Sequence, residues 1–268
     1  MKVALVQLNG QPEKAANLRA VERLVDEACW AERPDLVLLP EVVTAIGGDR
    51  EARLGAAESI PDGAMYRLLA DLARRHGVVV HGGSLLETGA DGKCFNTTVL
   101  FDADGAELAR YRKLHLFDIT TPSGKVFRES DNFDRGDRVV TVDLLGTRLG
   151  LSICYDLRFP ELYRALADRG AKLVAVPSAF TVETGRDHWE VLLRARAIET
   201  GCFVLAAAQW GVHGTSGRRS FGHSMVVDPW GHVIARLGDG EGWLATRLDL
   251  AKVDRVRQQI PVHAHRVL

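Results

Sequence analysis

The chain of 268 residues has no apolar run approaching the roughly 18 residues that a membrane-crossing helix needs. Nor does it carry an excess of either charge, since 34 Lys and Arg stand against 35 Asp and Glu. That balance lacks the basic footprint of a nucleic-acid binder and gives no pull towards an anionic membrane. Cysteine is scarce. Cys29, Cys94, Cys154 and Cys202 are the four present, and none forms a C-x-x-C pair. This does not read as a disulfide scaffold, and it points to reduced thiols in a cytoplasmic protein. Met1 to Gln7 lacks the apolar core of a secretory leader and is expected to be the first strand. On that reading the sequon Asn96-Thr-Thr carries no meaning. Repeats, low-complexity stretches and linkers are also missing, so one domain over residues 1–268 is expected.

What is present is an ordinary globular composition, 46% hydrophobic and 26% charged, enough for a large core. Strands alternate with helices. Lys2–Leu8, Asp35–Pro40, Val78–Gly83, Lys172–Ser178 and Cys202–Gln209 read as strands, several of them continuously apolar as in a parallel sheet. Residues 12–31, Met65–His76, Arg158–Ala167, Arg186–Thr200 and Val253–Gln259 read as helices. Hairpins are expected around Asp102–Gly105, Leu145–Thr147 and Asp228–Gly231. Lys113–Arg138 reads as a long polar loop, functional or disordered, and Gly211–Arg219 as a second loop. A layered α/β sandwich is the expected class.

The richest stretch is Gly150-Leu-Ser-Ile-Cys-Tyr-Asp-Leu-Arg-Phe-Pro-Glu161. Cys154 falls on the turn between a buried strand and a helix, at the strand's carboxyl end, where open α/β sheets form ligand crevices. The next amide, Tyr155 N–H, would lie near the sulfur and could bind an oxyanion. The plainer reading is that Cys154 is one more small buried hydrophobe. Glu41 ends one apolar run and Lys113 ends a hairpin strand. Singly, Glu41 could cap a helix or pair on the surface, and Lys113 could be solvated. Together, a carboxylate, an ammonium and a thiol at three strand ends could meet in one crevice.

These segments resemble the nitrilase superfamily of carbon–nitrogen hydrolases, and the resemblance runs over essentially the whole chain. Leu38-Leu-Pro-Glu41 is similar to its glutamate motif, Tyr111-Arg-Lys-Leu-His-Leu-Phe-Asp118 to its lysine motif, and Gly150 to Glu161 to its cysteine motif. Phe127-Arg-Glu-Ser130 fits the segment that brings in a second glutamate, Glu129. The resemblance implies a four-layer α-β-β-α sandwich, a homodimer that can associate further, and no cofactor or metal. It implies that Cys154 is the nucleophile, Glu41 its base, Lys113 and the Tyr155 N–H the oxyanion donors, and Glu129 an assistant. A thiol with an ordinary pKa of about 8.5 needs such a base at neutral pH.

Within the superfamily, Pro177-Ser-Ala-Phe-Thr181, His188 to Thr200, Ala206-Ala-Ala-Gln209 and Gly222 to Gly231 are similar to the deaminated-glutathione amidase branch. That implies hydrolysis of a small-molecule amide, deaminated glutathione, to 2-oxoglutarate and cysteinylglycine, a metabolite-repair reaction. An anionic keto acid would want a cation, for which Arg158 or Arg186 is a candidate, and Phe117, Phe180 and His188 would line the pocket. Omega-amidase action on 2-oxoglutaramate, nitrile hydrolysis, and a non-catalytic binding protein on the same fold stay open. His213, His223, His263 and His265 lack compact ligand spacing, so no metal is assigned. Gly211–Arg219 lacks the ending of a phosphate loop. Trp189 and Trp230 are expected in the core or an interface.

Overall fold

Side-chain alternation in the first strand sets the layers. In Lys2–Gln7, Val3 and Leu5 enter one apolar cluster, while Ala4, Val6 and the following Leu8 enter another. Leu36–Leu38 repeats the division, with Leu36 and Leu38 on one side and Val37 on the other. A strand buried on both faces must be covered on both. The computed structural model, which describes residues 1–121, 123–215 and 217–267, shows what covers it.

Six helices are described: α1 (Lys14–Glu32), α2 (Arg50–Ala56), α3 (Ala64–His76), α4 (Pro160–Asp168), α5 (Val182–Thr200) and α6 (Ala251–Gln259). The first sheet runs Gly242–Arg247, Lys2–Gln7, Leu36–Leu38, Val79–His81, Cys94–Phe101 and Leu85–Thr88, with Glu107–Arg112 and Phe133–Asp134 also paired to Cys94–Phe101. Its Lys2–Gln7, Leu36–Leu38 and Val79–His81 strands are parallel. On its outer face, Val21, Leu24, Val25 and Ala28 of α1 pack with Met65, Leu69, Leu72 and Ala73 of α3. Each fully buried large aliphatic of this kind contributes about 1.5–3 kcal/mol.

The second sheet runs Thr141–Leu144, Thr147–Leu151, Leu173–Ala175, Phe203–Ala206, Met225–Val227 and Val233–Arg236. Leu162 and Leu166 of α4 and Trp189 and Leu193 of α5 belong to the same core as its strands and as Val3, Leu5, Leu36 and Leu38 of the first sheet. The layers are therefore helix, sheet, sheet, helix, the four-layer α-β-β-α sandwich.

Several expectations needed revision. α5 begins at Val182, four residues before the expected Arg186, because Thr181 caps it by accepting from Thr184 N. Gly185 interrupts the apolar period there, since a Cβ would lie 2.4 Å from Phe221. Ile198 of this helix, though apolar, is 53% exposed. The 113–138 segment is built rather than loose. It holds a hairpin of Asp118–Thr120 with Val126–Arg128 and a 3-10 turn at Glu129–Asp131, and it adds Phe133–Asp134 to the first sheet. Pro122, in the expected 113–138 loop, lies outside the described residues, as does Ser216 in the expected 211–219 loop. That loop turned out to connect two paired strands, Trp210–Val212 and Arg219–Phe221.

The loop ends of the first sheet are knitted together at Gly83. Its φ is +64°, and a Cβ would meet Pro40 O at 1.9 Å and Leu39 O at 2.7 Å. Thr98 Oγ1 donates to Gly83 O, and Ser84 N donates to Pro40 O at 3.2 Å. Gly83→Ala is expected to cost about 2 kcal/mol or more. Urea unfolding checks this, and an unchanged midpoint would refute the close approach.

Candidate active site

Glu41 stands three residues beyond the Leu36–Leu38 strand. Its backbone is held by Gln209 Nε2 donating to Glu41 O at 2.8 Å. The next residues are pinned to the neighbouring loop, with Val42 N donating to Ser84 Oγ and Val43 N to Ser84 O, both 2.8 Å. Val42 is held at φ +56°, an unfavourable conformation for a β-branched residue that only surrounding structure can maintain. Lys113 follows the Glu107–Arg112 strand, and its N–H donates to Asn96 O at 2.9 Å. Asn96 Nδ2 in turn donates to Glu41 Oε1 at 2.9 Å, so one asparagine ties both segments together.

Cys154 opens a 3-10 turn, Cys154–Arg158, directly after the Thr147–Leu151 strand and its two-residue extension. Its φ is +49°, a second strained residue in the same place. Its N–H donates to Pro177 O at 2.9 Å. Tyr155 N–H is in the first turn of that helix, where amides lack an intrahelical acceptor.

A buried aspartate locks these parts in register. Asp156 Oδ2 accepts from Ile153 N at 2.9 Å and from Tyr111 Oη at 2.6 Å. Its Oδ1 accepts from His115 N at 3.0 Å and lies 2.7 Å from His115 Nδ1. The cysteine turn is thereby bolted to both sides of Lys113.

The reacting groups meet at one place. Lys113 Nζ donates to Glu129 Oε1 and Oε2 at 2.9 and 2.8 Å and to Glu41 Oε1 at 3.2 Å. Phe117 N also donates to Glu129. Burial works against the lysine's charge, but Glu129, Glu41 and Cys154 outweigh it and hold the ammonium well above its ordinary range. Burial, and then the Glu41 carboxylate, push the Cys154 thiol well above its usual value; Lys113 and the Ala179 backbone partly offset them. The resting site thus holds a protonated thiol, with a carboxylate and an ammonium close enough to act on its charge. Such a set is equipped for acyl transfer: a nucleophile, a proton acceptor and a cation for a developing oxyanion.

A cavity of about 220 Å³ opens onto the set, lined by Glu41, Lys113, Glu129, Cys154, Tyr155, Phe117 and Phe180 among others. Three residues expected near substrate are not in its wall. Arg158 lies over the Phe180 and Tyr155 rings, with its guanidinium 3.3 Å from His188 Nδ1. Arg186 pairs with Asp187 at 3.2 Å, and both it and His188 are exposed. Besides Lys113, the cations among the described residues that line the cavity are Arg53, Arg128 and Arg218. The sequence reading overlooked them because α2 carries no marked periodicity and the loop before Arg219 looked merely polar. Asp156 was equally overlooked. Its place two residues after the cysteine was the available signal.

Three comparisons place the chain. The carbon–nitrogen hydrolase family matches residues 2–258. A deaminated glutathione amidase of Synechocystis is 42% identical over 98% of this chain and 97% of its own. The crystal structure of the C. elegans NitFhit protein superposes with a TM-score of 0.92 at 39% identity, covering 99% of this chain and 64% of that one. Saccharomyces cerevisiae Nit3, a nitrilase-superfamily member, gives a TM-score of 0.88 at 32% identity over 98% and 94%. The chain belongs to the carbon–nitrogen hydrolase family.

The thiol makes a test of this electrostatic arrangement. Iodoacetamide labelling of Cys154 should set in well above the pH of an ordinary thiol, and Glu41→Gln should move the onset to lower pH. The raised thiol also adds stability that is full below its unfolded pKa of about 8.5 and is lost as pH climbs towards the folded value. Wild type should therefore lose more stability than Cys154→Ala between pH 8 and 10. An onset at the same pH in wild type and Glu41→Gln would contradict the arrangement.

Proposed function

We propose that the chain is an amidase that hydrolyses deaminated glutathione to 2-oxoglutarate and cysteinylglycine through a thioester on Cys154. One observation carries this reading. The Cys154 thiol, the Glu41 carboxylate and the Lys113 ammonium share one buried wall of a cavity, with Glu41 2.9 Å from Asn96 and 3.2 Å from Lys113. The choice of substrate is supported by the deaminated glutathione amidases to which the chain is 42% identical.

Glu41 takes the thiol proton as sulfur attacks the amide carbon. The oxyanion forms against the Tyr155 N–H and Lys113. All three Lys113 contacts are to carboxylates, and the one to Glu41, at 3.2 Å, is the longest and the one to exchange. Glu41 then passes its proton to the departing amine, leaving the acyl group on sulfur. Water enters, loses a proton to Glu41, attacks the thioester and frees the acid, and the proton returns to sulfur. Glu129, with two bonds to Lys113, keeps the ammonium in position.

The protein on this reading is one carbon–nitrogen hydrolase domain over 1–268 that works in the cytoplasm as a homodimer. Its four cysteines are free. Among the described residues, no helix is long and apolar enough to cross a membrane. For the dimer, α5 exposes Val191 and Ile198, 66% and 53%, beside Trp230 at 44%; Ile198 packs on Gly231. Contiguous exposed apolar side chains mark association surfaces. Sedimentation should give twice the chain mass, falling towards a monomer in Ile198→Glu.

Steady-state kinetics tests the activity. Cys154→Ala should abolish turnover, and Glu41→Gln should lower kcat by about 10²–10⁴-fold. kcat/KM should be much larger for deaminated glutathione than for 2-oxoglutaramate, since the peptide portion adds transition-state binding. The reverse preference would overturn the substrate, and full activity in Cys154→Ala would overturn the mechanism.

A further inference from the structure

Two polar groups of residues in the cavity wall have no hydrogen-bond partner among the described residues. Arg53 Nε is buried and makes no hydrogen bond among the described residues, and the same guanidinium reaches Gly48 O through Nη1 only at 3.4 Å. Asn132 Oδ1 is likewise buried without a donor. Both residues line the cavity that contains Cys154. Buried polar groups are normally satisfied, and an orphaned one costs free energy that a ligand can recover.

The setting of Arg53 makes the imbalance larger. It rises from α2, whose neighbours Leu54, Ala56 and Ala57 pack with Ala45, Leu86, Cys94 and Phe133 in a small apolar cluster. Burial, and next the nearby Arg218, push its guanidinium below its ordinary range, with Asp49 acting the other way. The two carboxylates of the cavity offer it little, because Glu41 and Glu129 both hold Lys113. Among the described residues that line the cavity, Arg53, Lys113, Arg128 and Arg218 outnumber the carboxylates Glu41 and Glu129.

The geometry points to Arg53, with Arg218 beside it, as the binding site for a substrate carboxylate, and to Asn132 as the acceptor for an amide N–H of the same molecule. This deepens the amidase reading and rests on it. A guanidinium suits a carboxylate because its planar fork can donate two parallel charge-assisted bonds. The substrate class is thus an anionic amide rather than a neutral one. A carboxylate can come from the acyl half, as in a 2-oxo acid, or from a peptide leaving group.

The test uses Cys154 as reporter, so it does not depend on knowing the substrate. Glutarate should protect Cys154 of the wild-type enzyme from iodoacetamide. In Arg53→Gln its half-protecting concentration should rise by about 10–100-fold relative to that of the neutral glutaramide, with Arg53→Lys between. An unchanged ratio in Arg53→Gln overturns the inference. If Arg53→Gln lowers the thermal midpoint enough to blur the comparison, Arg218→Gln and Arg53→Lys are read in the same way. Turnover by Arg53→Gln then separates the two sources. Equal losses on 2-oxoglutaramate and deaminated glutathione assign the acyl carboxylate, and loss confined to deaminated glutathione assigns the leaving peptide. If the wild type turned over neither compound, the substrate reading would fall while the glutarate ratio still decided Arg53.

Discussion

The structure around the cavity depends on one buried ammonium. Lys113 is 2% exposed and sits between two carboxylates, and neither charge sign could remain there without the other. Removing one partner of a buried ion cluster typically costs about 3–5 kcal/mol, because the charges left behind are unpaired in a poor solvent. The cluster therefore imposes its own geometry on whatever surrounds it. Glu129 must be delivered to the lysine, which gives the 113–138 segment a reason to be ordered. Asn96 must bridge to Glu41, which ties the Cys94–Phe101 strand to the loop after Leu36–Leu38.

A second constraint holds the thiol against that cluster. Asp156, fully buried, accepts from groups on both the cysteine turn and the segment around Lys113. The two segments belong to different sheets, so this one carboxylate sets the spacing between layers at the point of chemistry. Left-handed φ values at Val42 and Cys154 lie at the same junction. Strain of this kind is kept only where surrounding contacts over-determine the backbone, and here each strained residue has hydrogen-bonded neighbours that do so. Arg53 of α2 completes the picture, a cation lining the same cavity as a buried cluster of two carboxylates around one ammonium.

Much of this was legible in the chain. The two-sided apolar character of Leu36–Leu38 and Leu173–Ala175 announced parallel strands, and the Asp102–Gly105 turn announced its hairpin. Glu41, Lys113, Cys154 and Glu129 were named from their motifs and do share a cavity. Less legible were the short strands at Asp118–Thr120 and Val126–Arg128, whose residues alternate too briefly to declare a period. The start of α5 was hidden by Gly185, which serves the approach of Phe221 and not the helix.

By itself the sequence determined a layered α/β sandwich, because periodicity is a local property that neighbouring residues already encode, and its resemblance to a known family's motifs implied the four-layer order and named the reactive groups. Only the tertiary structure decided which cations face the cavity. Arg158 and Arg186 lie close in sequence to Cys154 or Phe180, yet they turn away to aromatic rings, His188 or Asp187. Arg53 and Arg218, more than 150 residues apart in number, reach the same wall. Which side chains share a cavity is settled by how helices and loops pack across layers, and no local stretch of sequence encodes that packing.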